Sequence, residues 1–381
     1  MKKIQMVDLK GQYDQIQEQV NQSVLNTIAS TQFINGPQVK DFQKHLESYL
    51  NVKHVIPCAN GTDALQIALM GLGLKPGDEV ITADFTFAAT VEVISLLGLT
   101  PVLVDVDPAT FNIDLESVEK VISPKSKAII PVHLFGQAAD MEGIMALAEK
   151  HNLYVVEDNA QSIGADYTFN DGSKKRTGTI GDIGTTSFFP SKNLGAYGDG
   201  GAIFTNNDEL AHTIRGMVNH GMYVRYHHDV VGVNSRLDSV QAAILDIKLK
   251  YLDYYNESRK AAALKYNQRL KDHPNLIIPY RKGDCDSHVY HQYTLRVIDA
   301  DRDGLVQHLN NNNIPCGIYY PIPLHQQKAY TSERYKAEDF KVTLQIVNEV
   351  ISLPMHTELS DDQIDFITDT IKEFLGQTSA V

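Results

Sequence analysis

The sequence predicts an α/β fold: a large, mostly parallel seven-stranded sheet domain over residues 1–250, followed by a small α+β domain over residues 251–381. Three observations lead there. The chain has 381 residues, too long for one ordinary compact domain and long enough to bury a large core. Seven short apolar or β-branched runs recur, each followed by a turn signal and a helical pattern: His54–Cys58, Glu79–Ala83, Pro101–Asp105, Ala128–His133, Leu153–Glu157, Thr185–Phe189 and Gly201–Thr205. After Arg236 the pattern changes to a long helical stretch, Ser239 to about Leu270, rich in Ala, Leu, Lys and Tyr.

Between the expected strands, Thr62–Leu72 reads as a helix because Ala64, Leu65, Ala68, Leu69 and Leu72 recur at helical spacing, and Met141–Lys150 reads the same way. Past the long helical stretch come a β-like run at His291–Val297, a helix at Asp303–Asn310, a further β-like segment at Pro315–Tyr320, and a terminal helix from about Asp361 to Phe374. In such a doubly wound arrangement, ligands gather beyond the C-terminal ends of the strands.

Composition narrows the partners. Lys+Arg 34 against Asp+Glu 47 gives a formal charge of −13, which opposes nucleic acid and an anionic membrane surface. The three cysteines, Cys58, Cys285 and Cys316, are widely separated and in no metal-like spacing, so they read as reduced thiols. The first residues turn polar at once, unlike a secretion signal. The longest apolar stretch, Val93 to Val104, falls well short of the roughly 20 residues needed to span a bilayer. A cytoplasmic protein is expected. The His227-His228 pair and His220 lack a completing carboxylate spacing, so no metal is expected.

Four motifs carry chemistry. In Thr186-Ser187-Phe188-Phe189-Pro190-Ser191-Lys192-Asn193-Leu194-Gly195, a lysine sits in a turn-forming stretch between two expected strands. A lone loop lysine is ordinarily a solvated surface group, but an enzyme using pyridoxal phosphate needs an amine in such a place, to form an imine and then to shuttle a proton. In Val155-Val156-Glu157-Asp158 a buried-strand pattern ends in two carboxylates. Asp158 is the candidate partner for a protonated pyridine nitrogen, with helix capping as its ordinary alternative; Glu157 faces the other way, since strand neighbours alternate. Cys58-Ala59-Asn60-Gly61-Thr62-Asp63 is a strand, a turn and a helix opening, suited to an anion such as a phosphate and equally to plain capping. Phe87, in Ala83–Thr90, is placed to stack on a flat ring or to fill core. Gly71-x-Gly73 followed by Pro76 does not complete a dinucleotide fingerprint.

Taken in order, Asn60-Gly61-Thr62-Asp63-Ala64-Leu65, Glu157-Asp158-x-Ala160-Gln161, Ser187-Phe188-x-x-Ser191-Lys192, Gly198-Asp199-Gly200-Gly201-Ala202 and Tyr320-Pro321-x-Pro323-Leu324-His325-x-Gln327 resemble the DegT/DnrJ family of nucleotide-sugar aminotransferases over essentially the whole chain. The resemblance implies the aspartate-aminotransferase fold, fold type I, with pyridoxal 5'-phosphate cycling through pyridoxamine 5'-phosphate. It implies Lys192 as the imine-forming lysine and proton shuttle and Asp158 as the partner of the pyridine nitrogen. Phe87 would stack on the ring, Gln161 would contact the ring face or its 3-oxygen side, and Gly61, Thr62 and Ser187 would hold the phosphate. Asn234 would reach the phosphate from a second subunit, making a homodimer with shared active sites. Arg236, Tyr319, Tyr320 and His325 would lie near the sugar; for Arg236 an ion pair with Asp238 is the structural alternative.

The expected reaction moves an amino group from an amino acid, glutamate by resemblance, to a keto-sugar carried by a nucleotide diphosphate, releasing 2-oxoglutarate. Phe188-Phe189-Pro190-Ser191-Lys192 and Arg225-Tyr226-His227-His228 most resemble members that aminate C3 of a UDP-linked 3-keto-N-acetylglucuronate. Tyr319-Tyr320-Pro321 departs from the His-Tyr-Pro of those members, which leaves a dTDP-linked 3-keto sugar or a 4-keto sugar open. A regulatory relative is a further alternative; a sugar dehydratase would lack Lys192.

Overall fold

The computed structural model describes residues 2–281 and 287–378; Cys285 lies outside them. The central sheet is built from β1 (His54–Cys58), β2 (Glu79–Ala83), β3 (Thr100–Val104), β4 (Ser126–Ile130) and β5 (Tyr154–Asp158), with a small hairpin, β6 (Asp166–Thr168) and β7 (Lys174–Arg176), preceding β8 (Ile183–Ser187) and β9 (Gly201–Thr205). Its seven strands run in the order β1-β9-β8-β5-β4-β2-β3. Only β9 is reversed: it pairs antiparallel with both β1 and β8, so those two run the same way and the other pairs are parallel. The C-terminal ends of six strands therefore point to one side.

Each of the seven expected runs is a strand of this sheet, shifted by at most a few residues. The runs were legible because both faces are covered, which makes the strands continuously apolar. Neighbouring residues enter different cores: Ile81, Ile129 and Val155 pack with Met141 and Ile144 on one face, while Val80, Ala128, Ile130 and Val156 pack with Leu65 and Ala68 on the other. The covering helices have local stop and start signals. Asn60 caps Gly61–Gly71 by accepting from the Asp63 N–H at 2.8 Å, and Asp140 caps Met141–His151, which ends at left-handed Asn152.

Three expectations need correction. The stretch from Ser239 to Leu270 is two helices, Ser239–Leu249 and Leu252–Leu270, broken at Lys250–Tyr251. The break aims the second helix so that Leu252 packs with the sheet-domain core while Ala262, Tyr266 and Leu270 enter the other. Pro315–Tyr320 is not a strand; only Gly317 pairs, with Ser352, because the flanking Pro315 and Pro321 have no N–H to contribute. Two N-terminal helices, Leu9–Ser30 and Pro37–Leu50, were not anticipated.

A hairpin, β10 (Met222–Val224) and β11 (His227–His228), lies between the sheet and the paired helices. The remaining strands, β12 (Leu276–Ile277), β13 (Tyr293–Val297) and β14 (Val350–Leu353), form an antiparallel sheet in that order. Helices Arg302–Asn311 and Asp361–Thr378 cover it around Leu295, Leu309, Ile351 and Ile367, and Ile4 joins the same core. Among the described residues no helix is long and apolar enough to cross a membrane.

The two cores meet where Gly136, at φ 98°, approaches residues 290–291. A Cβ there would lie 2.7 Å from the His291 nitrogen and 3.0 Å from that of Tyr290. Gly136→Ala is expected to lower unfolding free energy by roughly 1–3 kcal/mol, read as an earlier midpoint in denaturant melts; an unchanged midpoint would mean the two segments separate freely.

Candidate active site

Beyond the C-terminal ends of β1, β2, β4, β5 and β8 lies a cavity of ≈ 560 Å³, within the usual range for small-molecule sites. β1 and its turn contribute Asn60, Gly61 and Thr62; the segment after β2 contributes Thr86 and Phe87; β5 contributes Asp158, followed by Ala160 and Gln161; β8 ends in Ser187 and leads to Lys192. Tyr319 and Tyr320 close it from the C-terminal part of the chain. Nine expected residues thus share one cavity.

The Lys192 loop is fixed around its lysine. Phe188 is fully buried against Phe42, and its N–H and C=O bond to Gly200 and Ala196, both at 2.7 Å. Asn193 donates to Asn256 at 2.8 Å and to the Val289 carbonyl at 3.1 Å. Lys248, buried, donates to the Gly195 carbonyl at 2.5 Å. The Lys192 amine itself makes no hydrogen bond or ion pair among the described residues. Burial lowers its pKa to about 8, against the opposing pull of the Asp158 charge.

Asp158 is 6% exposed. Its carboxylate accepts from the Thr90 hydroxyl at 2.9 Å and from the Ala160 N–H at 3.1 Å, which sets its orientation and leaves acceptor capacity for a ligand. Glu157 points to the other face, as expected from strand alternation, and accepts from the Gly178, Ile180 and Gly181 amides and from His133. Gln161 accepts from the Phe135 N–H at 2.6 Å, so its amino group turns to the Tyr320 hydroxyl at 3.2 Å.

At the β1 end, the N–H groups of Gly61 and Thr62 open the helix with no intrahelical partner. Gly61 is required there, because a Cβ would lie 2.7 Å from that of Ser187. Thr86 Oγ1 is buried with no hydrogen-bond partner. Such unfilled donors and acceptors fit a flat cofactor with a phosphate at one end and a basic ring nitrogen at Asp158. A larger cavity, ≈ 750 Å³, lies along β3. Two of its charged groups are engaged within the protein: Arg334 pairs with Glu79, and Asp105 accepts from Val342 and Thr343.

Three expected residues do not line the cavity. His325 is clasped by Asp84, at 2.6 Å through Nδ1 and 2.7 Å through its backbone N–H, and stacks on Phe340. Asn234 is exposed, its backbone bridged to Asn219. Arg236 is half-buried and makes no ion pair with Asp238 or any other described residue. Conversely, Thr86, Thr90, Asp199, His291 and Gln292 belong to the site or its immediate support and were not singled out; Thr86 and Thr90 sit in the stretch noted for Phe87, while His291 was read as part of a strand. Among the described residues no cluster of three or more His, Cys, Asp or Glu is placed to hold a metal.

Comparison with known proteins agrees with this geometry. The model of the DegT/DnrJ/EryC1/StrS aminotransferase family matches residues 14–372. A pleiotropic regulatory protein of Geobacillus stearothermophilus is 45% identical over 97% of this chain and 98% of its own. A UDP-2-acetamido-2-deoxy-3-oxo-D-glucuronate aminotransferase of Pseudomonas aeruginosa is 44% identical over 96% of this chain and 98% of its own. The crystal structure of DesV from S. venezuelae in complex with a ketimine intermediate superimposes with a TM-score of 0.93 at 36% identity, covering 98% of each chain. The expected aminotransferase fold and pyridoxal phosphate cofactor are borne out. The chain belongs to the DegT/DnrJ/EryC1/StrS aminotransferase family.

Proposed function

We propose that the protein transfers an amino group from L-glutamate to C3 of a 3-keto sugar linked to UDP or dTDP, working as a homodimer. The observation that carries this reading is the buried Lys192 amine, without a partner among the described residues, sharing one cavity with the oriented carboxylate of Asp158 and the open helix N-terminus at Gly61 and Thr62. The C3 position follows the names of the uronate aminotransferase and of dTDP-3-amino sugar transaminases among the relatives. A 4-keto sugar is the second reading, since the relatives also include a GDP-perosamine synthase.

In this reading the residues divide the work. Gly61 and Thr62 N–H groups and the Ser187 hydroxyl would hold the phosphate; Ser187 Oγ accepts from Phe189 N–H, leaving its own hydrogen to donate. Asp158, held by Thr90 and Ala160, keeps the pyridine nitrogen protonated. Pyridoxal phosphate, when bound, supplies the electron sink through which the amino group is exchanged. Lys192 moves the proton, and its lowered pKa leaves an appreciable uncharged fraction near neutrality. Gln161 and Tyr320, bonded to each other, would border the ring, with the exposed Phe87 beside Tyr320.

Asn234 and Arg236, whose side chains have no hydrogen-bond or ion-pair partner among the described residues, would complete the cavity of a second copy. The exposed apolar side chains Phe33, Ile34, Tyr226 and Val231 offer a surface for that copy.

The wild type reconstituted with pyridoxal phosphate is expected to show a visible absorbance band that glutamate bleaches, while Lys192→Ala loses turnover by at least about a thousandfold. A wild type that binds no chromophore would sink the assignment; one that binds it but never reacts with glutamate would favour a regulatory role. As pH rises through about 8, Lys192 deprotonates, so single-turnover rates of a step that uses it as base are expected to increase and level off; a flat profile there would remove it as the base. Mixing Lys192→Ala with an Asn234→Ala/Arg236→Ala double variant is expected to restore about a quarter of wild-type sites, through hybrid dimers. No recovery after confirmed exchange of subunits would rule out shared sites.

A further inference from the structure

Two groups in the cavity lack what the other can offer. The Lys192 amine has no acceptor among the described residues. His291 lines the same cavity, is only 8% exposed, and its Nδ1 has no hydrogen-bond partner among the described residues. A buried imidazole nitrogen left unpaired is costly and calls for a partner.

The backbone beneath that ring is held from several directions. Tyr290 sits at φ 46°, in the left-handed region that bulky residues avoid. Arg259, buried, donates to the carbonyls of Tyr290, His291 and Met355 at 3.2, 3.2 and 3.1 Å. Gly136 lies close against the amides of residues 290 and 291. Strained positions of this kind persist where surrounding contacts over-determine them. β13 begins only at Tyr293, so the His291 ring is aimed by these restraints and not by the strand ladder.

We propose that His291 is a positioning residue for Lys192: the two are not bonded in the arrangement described, and on a turn of the free lysine side chain the neutral imidazole accepts a hydrogen bond from the amine and holds it in the cavity facing Asp158. No covalent bond changes in this contact, and the proton stays on the Lys192 nitrogen. Burial, together with the positive charges of Lys192 and Arg259, keeps the imidazole pKa well below its ordinary value, so one ring nitrogen keeps its lone pair. The other titratable groups facing the pair are Asp158 on β5, Asp199 in the loop after Lys192, and the hydroxyls of Tyr319 and Tyr320.

The proposal rests on the assignment of Lys192 made above, but its test uses cofactor-free protein, so a failed cofactor spectrum and a failed titration are read separately. The rate of Lys192 acylation by acetic anhydride, followed by peptide mass spectrometry across pH, gives the amine midpoint, which burial lowers from its ordinary value in the wild type. His291→Phe removes an acceptor that favours the ammonium form and is expected to lower the midpoint by about one pH unit; His291→Asn keeps an acceptor and returns it toward the wild type. An unshifted midpoint in folded His291→Phe overturns the proposal whatever happens to thermal stability, since a ring that merely packs would alter stability alone. Should His291→Phe not fold, nitrogen-labelled histidine in wild type and Lys192→Ala decides: the His291 ring resonances move on loss of the amine if the contact exists, and unmoved resonances overturn it.

Discussion

Glu157 carries a carboxylate with no access to water, and four donors converge on it: the amides of Gly178, Ile180 and Gly181, and His133. A buried charge this well supplied is tolerable, whereas the same charge with one donor missing would be strongly destabilising. His133 is oriented in turn, since its Nδ1 accepts from the Ala139 N–H and its backbone N–H donates to the Asp158 carbonyl. The C-terminal tip of β5 is thereby clamped on one face while Asp158 is presented on the other. The orientation of the cavity carboxylate depends on that clamp.

The elements legible in the sequence are those whose signal is local. Seven buried strands announce themselves by short apolar or β-branched runs, and Lys192 and Asp158 stand out by falling at or after strand ends among turn residues. What escaped detection depends on partners distant in sequence. His325 carries a motif-like position, yet Asp84, more than two hundred residues away, consumes its ring and backbone N–H. His291 sits next to a clear β-like run and was absorbed by it; Arg259 and Gly136, which determine its direction, approach from other parts of the chain. The break at Lys250–Tyr251 has no Pro or Gly to mark it. Periodicity reports which residues are buried, not what they are buried against.

The acidic chain must attract a ligand that is itself anionic. With a net charge of −13, long-range attraction is not available, so affinity has to come from short-range groups. The open helix N-terminus at Gly61 and Thr62 supplies oriented N–H dipoles, and Arg236 carries a guanidinium that no acid among the described residues neutralises.

Ile4 packs in the core that holds Leu295, Ile351 and Ile367, the Met6 carbonyl accepts from Met355, and the Lys2 carbonyl accepts from Gln363. The segment around Ile4 therefore leaves the ribosome well before its partners around Ile351 and Ile367 are made. At ordinary elongation rates that delay is on the order of tens of seconds, and closing so long a loop makes the C-terminal core a late event in folding. Throughout that interval the sheet domain can assemble while the segment around Ile4 stays unburied, a window in which chaperones or proteases have access to it.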